Sequence, residues 1–590
     1  MELKDVERRC CVVKVSEASS AKKPVSCSGV VVHPRTGIII CTGLPFSRFI
    51  TNGDPLYWDH DFLPPRSFSA KLQIRVSFPT DTKQSAQRAT ITPSRSKTAA
   101  GQEEATAELL MLVNCMEFKH AFQAVFQEAD QWRFHCDEED QELLRDFQFL
   151  SWFAVLRAGV VLDSSQDSGT IPWKSSVPLQ KGCSVVACGS PFGSLCLDLF
   201  ISTLSRGIIS NLAGEDNAVI LTDARCLPGT EGGGLFVVKG AGSVHLIGLI
   251  VSPFGWKANE WIGLTLVCSA QLVFRNLISC MSVQDPLRNV WLHPGESGIQ
   301  MSTAAHESKA VKYPTVCFVD SGQFWGSGVV VGSRLVVTCR HVVNRKSKVR
   351  LKFHHRDRVH DSVGDVLFST KASSPYDLAL VQLRDAVPEA VVSRMCQSFI
   401  PGESVVVVGY GGLGRSCGPS LTCGVLSKAI SWNCQPVMLQ TTCAVQAGTS
   451  GGAVVQRCSG ELLGKDVLQE ESHVHLLNRG GHMITTENVS VQGKVSCAYN
   501  SGSVSTAVFA VLNSQKMFLC CVAGIVSSNT RDMATKVTYP HLNFSVPVTV
   551  FQRLLQHFEQ TKDVNVFREL DSTEKEIRRV WRLQGAQSKL

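Results

Sequence analysis

Gly448-Thr449-Ser450-Gly451-Gly452 sets a serine on a glycine-rich turn, and the reading of the chain works outward from it. A nucleophilic serine needs an exposed Oγ on a tight turn, with backbone N–H groups aimed where negative charge develops on the attacked carbonyl. Glycines permit such a turn and leave amides uncovered, so the N–H groups of Gly448 and Ser450 are the expected oxyanion hole. Alone, the pattern also fits a plain glycine-rich hairpin. Its surroundings decide otherwise. Upstream, Leu335-Val336-Val337-Thr338-Cys339-Arg340-His341-Val342-Val343 puts a histidine directly after a buried strand. Between the two, Tyr376-Asp377-Leu378-Ala379-Leu380-Val381 puts an aspartate at the mouth of another. The order is His341, Asp377, Ser450, with spacings of 377 − 341 = 36 and 450 − 377 = 73 residues. A nucleophilic triad carried on paired antiparallel barrels needs this order.

Short Val/Ile/Leu runs bounded by Gly, Pro and Ser recur at 30–32, 38–41, 329–331, 335–338 and 405–408, which predicts an all-β chain. The clearest helical pattern, over 550–558, follows the last strand. The chain also repeats itself. Ser28-Gly29-Val30-Val31-Val32 matches Ser327-Gly328-Val329-Val330-Val331, and Pro228-Gly229-Thr230-Glu231-Gly232-Gly233 matches Ala447-Gly448-Thr449-Ser450-Gly451-Gly452. Residues 185–193 and 406–414 correspond, as do 204–210 and 421–427. Four ordered matches predict two double-barrel units in tandem. The expected division is 1–284, a linker at 285–311, an active unit at 312–560 and a tail at 561–590. Residues 80–104 read as an exposed loop inserted in the first half, and 465–518 as an insertion or a gene-model error in the second.

Aligning the repeats places Leu44 at the position of His341, Trp152 at that of Asp377 and Glu231 at that of Ser450. All three roles are empty, so the first half reads as a degenerate copy kept for structure or substrate handling. A separate task for Glu231 is the alternative.

With 44% hydrophobic and 18% charged residues, the chain can build real cores, which excludes a wholly disordered protein. A net charge of +7 over 590 residues, with no basic stripe interleaved with aromatics, argues against nucleic-acid binding. The 23 cysteines show no repeated C-x-x-C spacing, so neither metal nor cofactor is expected and the thiols are read as reduced. No secretory signal and no membrane span is evident.

The motifs around Ser327, His341, Asp377 and Ser450 make residues 316–558 resemble the trypsin-like serine proteases, in particular the HtrA/Deg branch. By that resemblance Ser450 attacks, His341 acts as general base and then acid, and Asp377 holds the imidazole tautomer. Ala444, six residues before the nucleophile, is implied at the floor of the S1 pocket, where the lack of a carboxylate favours a small or apolar P1 residue. The chain ends Ser588-Lys589-Leu590, a tripeptide read by the peroxisomal import receptor. With 221–235, 438–452 and 527–544, this ending makes nearly the whole chain similar to the peroxisomal processing proteases. The resemblance implies a matrix endopeptidase that removes leader peptides from type-2-targeted enzymes, cuts some type-1-targeted β-oxidation enzymes, and processes itself. Imported precursors and the receptor are then its partners, with self-association a further one. Self-cleavage in this family follows a cysteine in the long loop of the first half. No cysteine lies between residues 43 and 114, which leaves Cys115 as the nearest candidate. Two rivals stand beside this reading: an HtrA-like quality-control protease, which would lack room for a PDZ domain after Phe558, and a non-catalytic scaffold of the same fold.

Overall fold

The computed structural model describes residues 1–18, 24–51, 60–79, 103–126, 132–133, 148–159, 170–192, 197–238, 244–253, 256–257, 260–281, 285, 312–355, 358–411, 413, 417–457, 474–477, 483–486, 520–531, 538–571 and 574–581. Twenty-four of its strands form four barrels of six. The first holds β1 (Cys10–Glu17), β2 (Val25–His33), β3 (Ile38–Thr42), β4 (Leu72–Phe78), β5 (Glu103–Asn114) and β6 (Trp152–Ala158). The second holds β7 (Ser184–Gly189), β8 (Thr203–Ala213), β9 (Val219–Thr222), β10 (Gly234–Val238), β11 (Val244–Pro253) and β12 (Thr265–Ser269). The third holds β13 (Val316–Asp320), β14 (Trp325–Gly332), β15 (Leu335–Thr338), β16 (Lys348–His355), β17 (Arg358–Ser369) and β18 (Ala379–Leu383). The fourth holds β19 (Ser404–Gly409), β20 (Ser420–Trp432), β21 (Gln435–Thr441), β22 (Ala453–Arg457), β23 (Cys520–Arg531) and β24 (Thr538–Pro547).

Within each barrel the ring runs first, second, third, sixth, fifth, fourth strand. The first ring closes through the β5–β6 pairing and carries one extra short strand, Phe62–Leu63, on β5. Alternation along the strands explains their nearly unbroken apolar runs. Val31, Ile39 and Cys41 face one core, while Val30, Val32, Ile38 and Ile40 face another, shared with Val219, Leu221 and Leu266 of the second barrel. β2 and β3 are thus buried on both faces.

The two halves agree residue by residue. Cys41 lies opposite Gly29 and Ala154, as Thr338 lies opposite Gly328 and Ala379. Three residues on from Cys41 is Leu44, and three on from Thr338 is His341. Two residues before Ala154 is Trp152, and two before Ala379 is Asp377. Ser28 N–H donates to Glu231 O at 2.8 Å and Ser327 N–H to Ser450 O at 2.8 Å.

Some expectations need adjusting. Glu103 and Glu104, read as loop, begin β5, because Glu104 pairs with Ser77. Residues 80–102, 286–311 and the three terminal residues lie outside the described residues. Of 465–518, only the backbone hairpin Val474–Leu477 with Met483–Thr486 is described. The tail at 561–590 is not all loose: Val564–Asp571 and Lys575–Trp581 pack onto the second half. Phe567 and Leu570, three apart, are buried there, with Phe567 against Phe368 and Phe558. Phe567→Ala is expected to cost about 3–5 kcal/mol, read as a lower denaturant midpoint for the active half. An unchanged midpoint would mean that this segment is dispensable.

Candidate active site

Two positive-φ glycines shape the turn that carries Ser450. Gly448 has φ +93°, and a Cβ there would lie 2.0 Å from the Trp325 ring. Gly451 has φ +86°, and a Cβ there would lie 2.0 Å from Ser327 O. No other residue fits either place. Ser327 clamps the turn from the third barrel. Its Oγ donates to Gly448 O and accepts from Tyr410 N–H, both at 2.8 Å. Gly451 N–H is taken by Val526 O and Gly452 N–H by Thr449 O. Among the described residues, the N–H groups of Gly448 and Ser450 donate to nothing. They are the two amides expected from the sequence to be open.

His341 sits in the short helix Arg340–Val343 after β15. Its Nδ1 lies 2.5 Å from Asp377 Oδ2, and its backbone N–H donates to Asp377 Oδ1 at 3.1 Å. A carboxylate only accepts, so Nδ1 carries the proton and Nε2 is the basic nitrogen. Burial pushes the Asp377 carboxyl up, but the His341 hydrogen bond and the His341 and Arg340 charges outweigh it and hold it below the usual carboxylate range. Arg340 also staples the loop ahead of Asp377, donating to Lys371 O at 2.6 Å and to Tyr376 O and Thr370 Oγ1 at 3.2 Å.

His341, Asp377 and Ser450 line one cleft of about 330 Å³ with Val445, Gln446, Ala447, Ser527 and Ser528. Ser450 Oγ lies 3.4 Å from Ser527 O. Ala444 is buried beside this lining rather than in it, its carbonyl accepting from Thr422 Oγ1 at 2.7 Å. Cys115 is fully buried at the start of the helix Met116–Val125, with its N–H bonded to Ser151 O. Cleavage there would require the end of β5 to leave its barrel. Cys339, His341 and Asp377 offer donor atoms within 4.8 Å of one another. They make a poor metal cage, since Asp377 is held by the imidazole and Cys339 donates to Val526 O at 3.1 Å. Burial, with the Asp377 charge adding, also holds that thiol well above its ordinary pKa.

Residues 326–464 match the trypsin-like peptidase domain family. The human peroxisomal leader peptide-processing protease is 35% identical over 620 residues, covering 99% of this chain and 97% of the human one. The mouse protein of the same name is 35% identical over 616 residues, covering 98% and 96%. The chain belongs to the peroxisomal leader peptide-processing proteases. It is a trypsin-like serine protease. A solved inactive form of a Mycobacterium tuberculosis protease is 15% identical, covering 43% of this chain and 98% of its own, at a TM-score of 0.24.

The first half keeps the turn but carries Leu44, Trp152 and Glu231 at the three matching positions. Gly229 and Gly232 repeat the positive φ values, at +100° and +85°. Gly229 N–H, the counterpart of an oxyanion donor, is bonded at 2.7 Å by Glu231 Oε2. Glu231, at the position of Ser450, thus sets its own carboxylate against the amide that corresponds to Gly448. Sequence reasoning passed over Arg340 and the carbonyl of Ser527. Arg340 left a readable mark, a lone cation beside His341 amid apolar residues. A backbone carbonyl leaves none.

Proposed function

We propose that this chain is a peroxisomal matrix endopeptidase that removes leader peptides from type-2-targeted enzymes after import. Ser450 is the nucleophile, His341 the base that takes its proton and returns it to the leaving amine, and Asp377 the group that fixes the imidazole tautomer. The N–H groups of Gly448 and Ser450 receive the oxyanion. The observation that carries this reading is the His341–Asp377 pair facing the same cleft as Ser450, beside two amides that donate to nothing else described. Apart from His341 and Asp377 the cleft lining is uncharged, which suits a small or apolar P1 residue such as cysteine. Ser588, Lys589 and Leu590 are the address for the import receptor. Some type-1-targeted β-oxidation enzymes and the chain itself are further substrates.

The units are read as 1–284, 285–311, 312–560 and 561–590, with 465–518 inserted. In support of the insertion, β22 and β23 pair directly, Arg457 opposite Cys520, whereas the matching strands β10 and β11 are joined by residues 239–243 alone. The family match also stops at 464.

The test offers the purified full chain a leader-bearing type-2 precursor and, in parallel, an unfolded generic protein. Faster cleavage of the precursor at its leader junction is expected. Preference for the generic protein would replace this function with quality control.

A further inference from the structure

The first half meets the second beside the turn at 442–446, which enters the cleft through Val445 and Gln446 and is taken as the S1 turn, and one carboxylate carries the contact inward. Along the seam β8 lies against β20. Lys181 Nζ donates to Cys417 O at 3.0 Å and to Pro419 O at 2.8 Å, and Asn211 Nδ2 donates to Ser420 Oγ at 2.8 Å. Asp223, the residue after β9, is buried. Its Oδ1 accepts the N–H of Ile208 at 2.7 Å, within its own half. Its Oδ2 accepts the N–H of Cys423 at 2.6 Å, across the seam on β20.

The repeat explains why the bond runs one way. Thr222 lies opposite Ile209 as Thr441 lies opposite Leu426, so Thr442 is the counterpart of Asp223. Thr442 Oγ1 accepts the N–H of Val425 at 2.9 Å, matching the Ile208 bond. A hydroxyl has one oxygen, and it serves its own strand. A carboxylate has two, and the second crosses to the other half.

What Cys423 supports is the S1 turn. Thr422 Oγ1 donates to Ala444 O, and a Cβ on Gly424 would lie 2.5 Å from Cys443 N. Residues 422–424 are therefore the bed on which 442–444 lie, just ahead of Ser450. A second tie reaches the same turn from the same half. Gln446, which lines the cleft, donates through Nε2 to Ile262 O at 2.6 Å.

We propose that Asp223 is a positioning residue: by holding the Cys423 amide it fixes the bed of the S1 turn, so the degenerate half takes part in substrate selection. This rests on the reading of Ser450 as nucleophile. A hydrogen bond to an ionised acceptor is among the stronger ones, and small displacements of a binding wall are felt in turnover.

Asp223→Thr installs the residue that the active half itself carries, keeping the oxygen for Ile208 and removing the one for Cys423. The full-length variant is expected to melt within about 2 °C of the wild type. Fluorophosphonate labelling of Ser450, which does not fill S1, should stay within about threefold of wild type. On a leader-junction peptide kcat/KM should fall about tenfold, mostly through KM, with narrower discrimination among P1 residues. Asp223→Asn, also left with a single acceptor oxygen, should behave alike. Wild-type kcat/KM and P1 preference in both variants would overturn the inference, as would a loss fully accounted for by unfolded protein. A wild type that the probe does not label would remove the nucleophile reading and this inference together. A labelled wild type with unaltered variants removes the inference alone.

Discussion

Ser450→Ala is expected to leave the fold intact and turnover lower by about 10⁶-fold, the scale on which losing a triad nucleophile acts. The fold should not notice. The Oγ has one described contact, a long 3.4 Å approach to Ser527 O, so its removal leaves no well-made hydrogen bond broken. The turn is held by groups the variant keeps: Ser327 N–H on Ser450 O, Ser327 Oγ on Gly448 O, and the positive-φ glycines on either side. Chemistry, by contrast, has no substitute atom. The other hydroxyls in the cleft, on Ser527 and Ser528, are not carried on the turn that exposes the two amides. Fluorophosphonate labelling and precursor cleavage should both vanish while the melting temperature stays within about 1 °C. Labelling that persists in this variant would place the nucleophile elsewhere and undo the assignment.

How much of this was legible depended on whether a residue's job is local. The turn residues Gly448, Gly451, Gly229 and Gly232 announce themselves, because a positive φ with a neighbour 2–3 Å from any added Cβ admits only glycine. The registers of Leu44 with His341 and Trp152 with Asp377 follow from strand alternation, which short apolar runs display directly. Contacts made over long separations left no such trace. Asp223 and Cys423 are 200 residues apart, and neither has neighbours that point to the other. The brace on the loop ahead of Asp377 was equally hidden. Lys371 N–H donates to Asp571 Oδ1, Ser374 Oγ donates to Leu570 O, and Tyr376 meets the Trp581 ring. A few apolar residues spaced through a polar tail read as solvent-facing until the groove that receives them is known.

Asp377→Asn separates placement of the imidazole from its protonation state. An asparagine fits the same space but turns an acceptor toward His341 into either a donor or a weaker carbonyl acceptor. If its amide nitrogen faces Nδ1, the ring must carry its proton on Nε2 and cannot take one from Ser450. On this ground kcat is expected to fall about 10⁴-fold, with KM little changed. Arg340, 3.6 Å from Asp377 Oδ1, would also lose its charge partner, although its bonds to the carbonyls of Lys371 and Tyr376 remain. The wild-type carboxyl titrates below its ordinary range, so its contribution to stability is fully present above about pH 4–5 and is lost as pH falls through the depressed folded value. The asparagine does not titrate. Any stability advantage of the wild type over the variant should therefore shrink on acidification below about pH 4. Denaturant midpoints at a series of pH values measure the second expectation and steady-state kinetics the first. A loss in kcat of less than about tenfold would show that Asp377 does not govern the tautomer, and the hydrogen bond to His341 would then be structural alone.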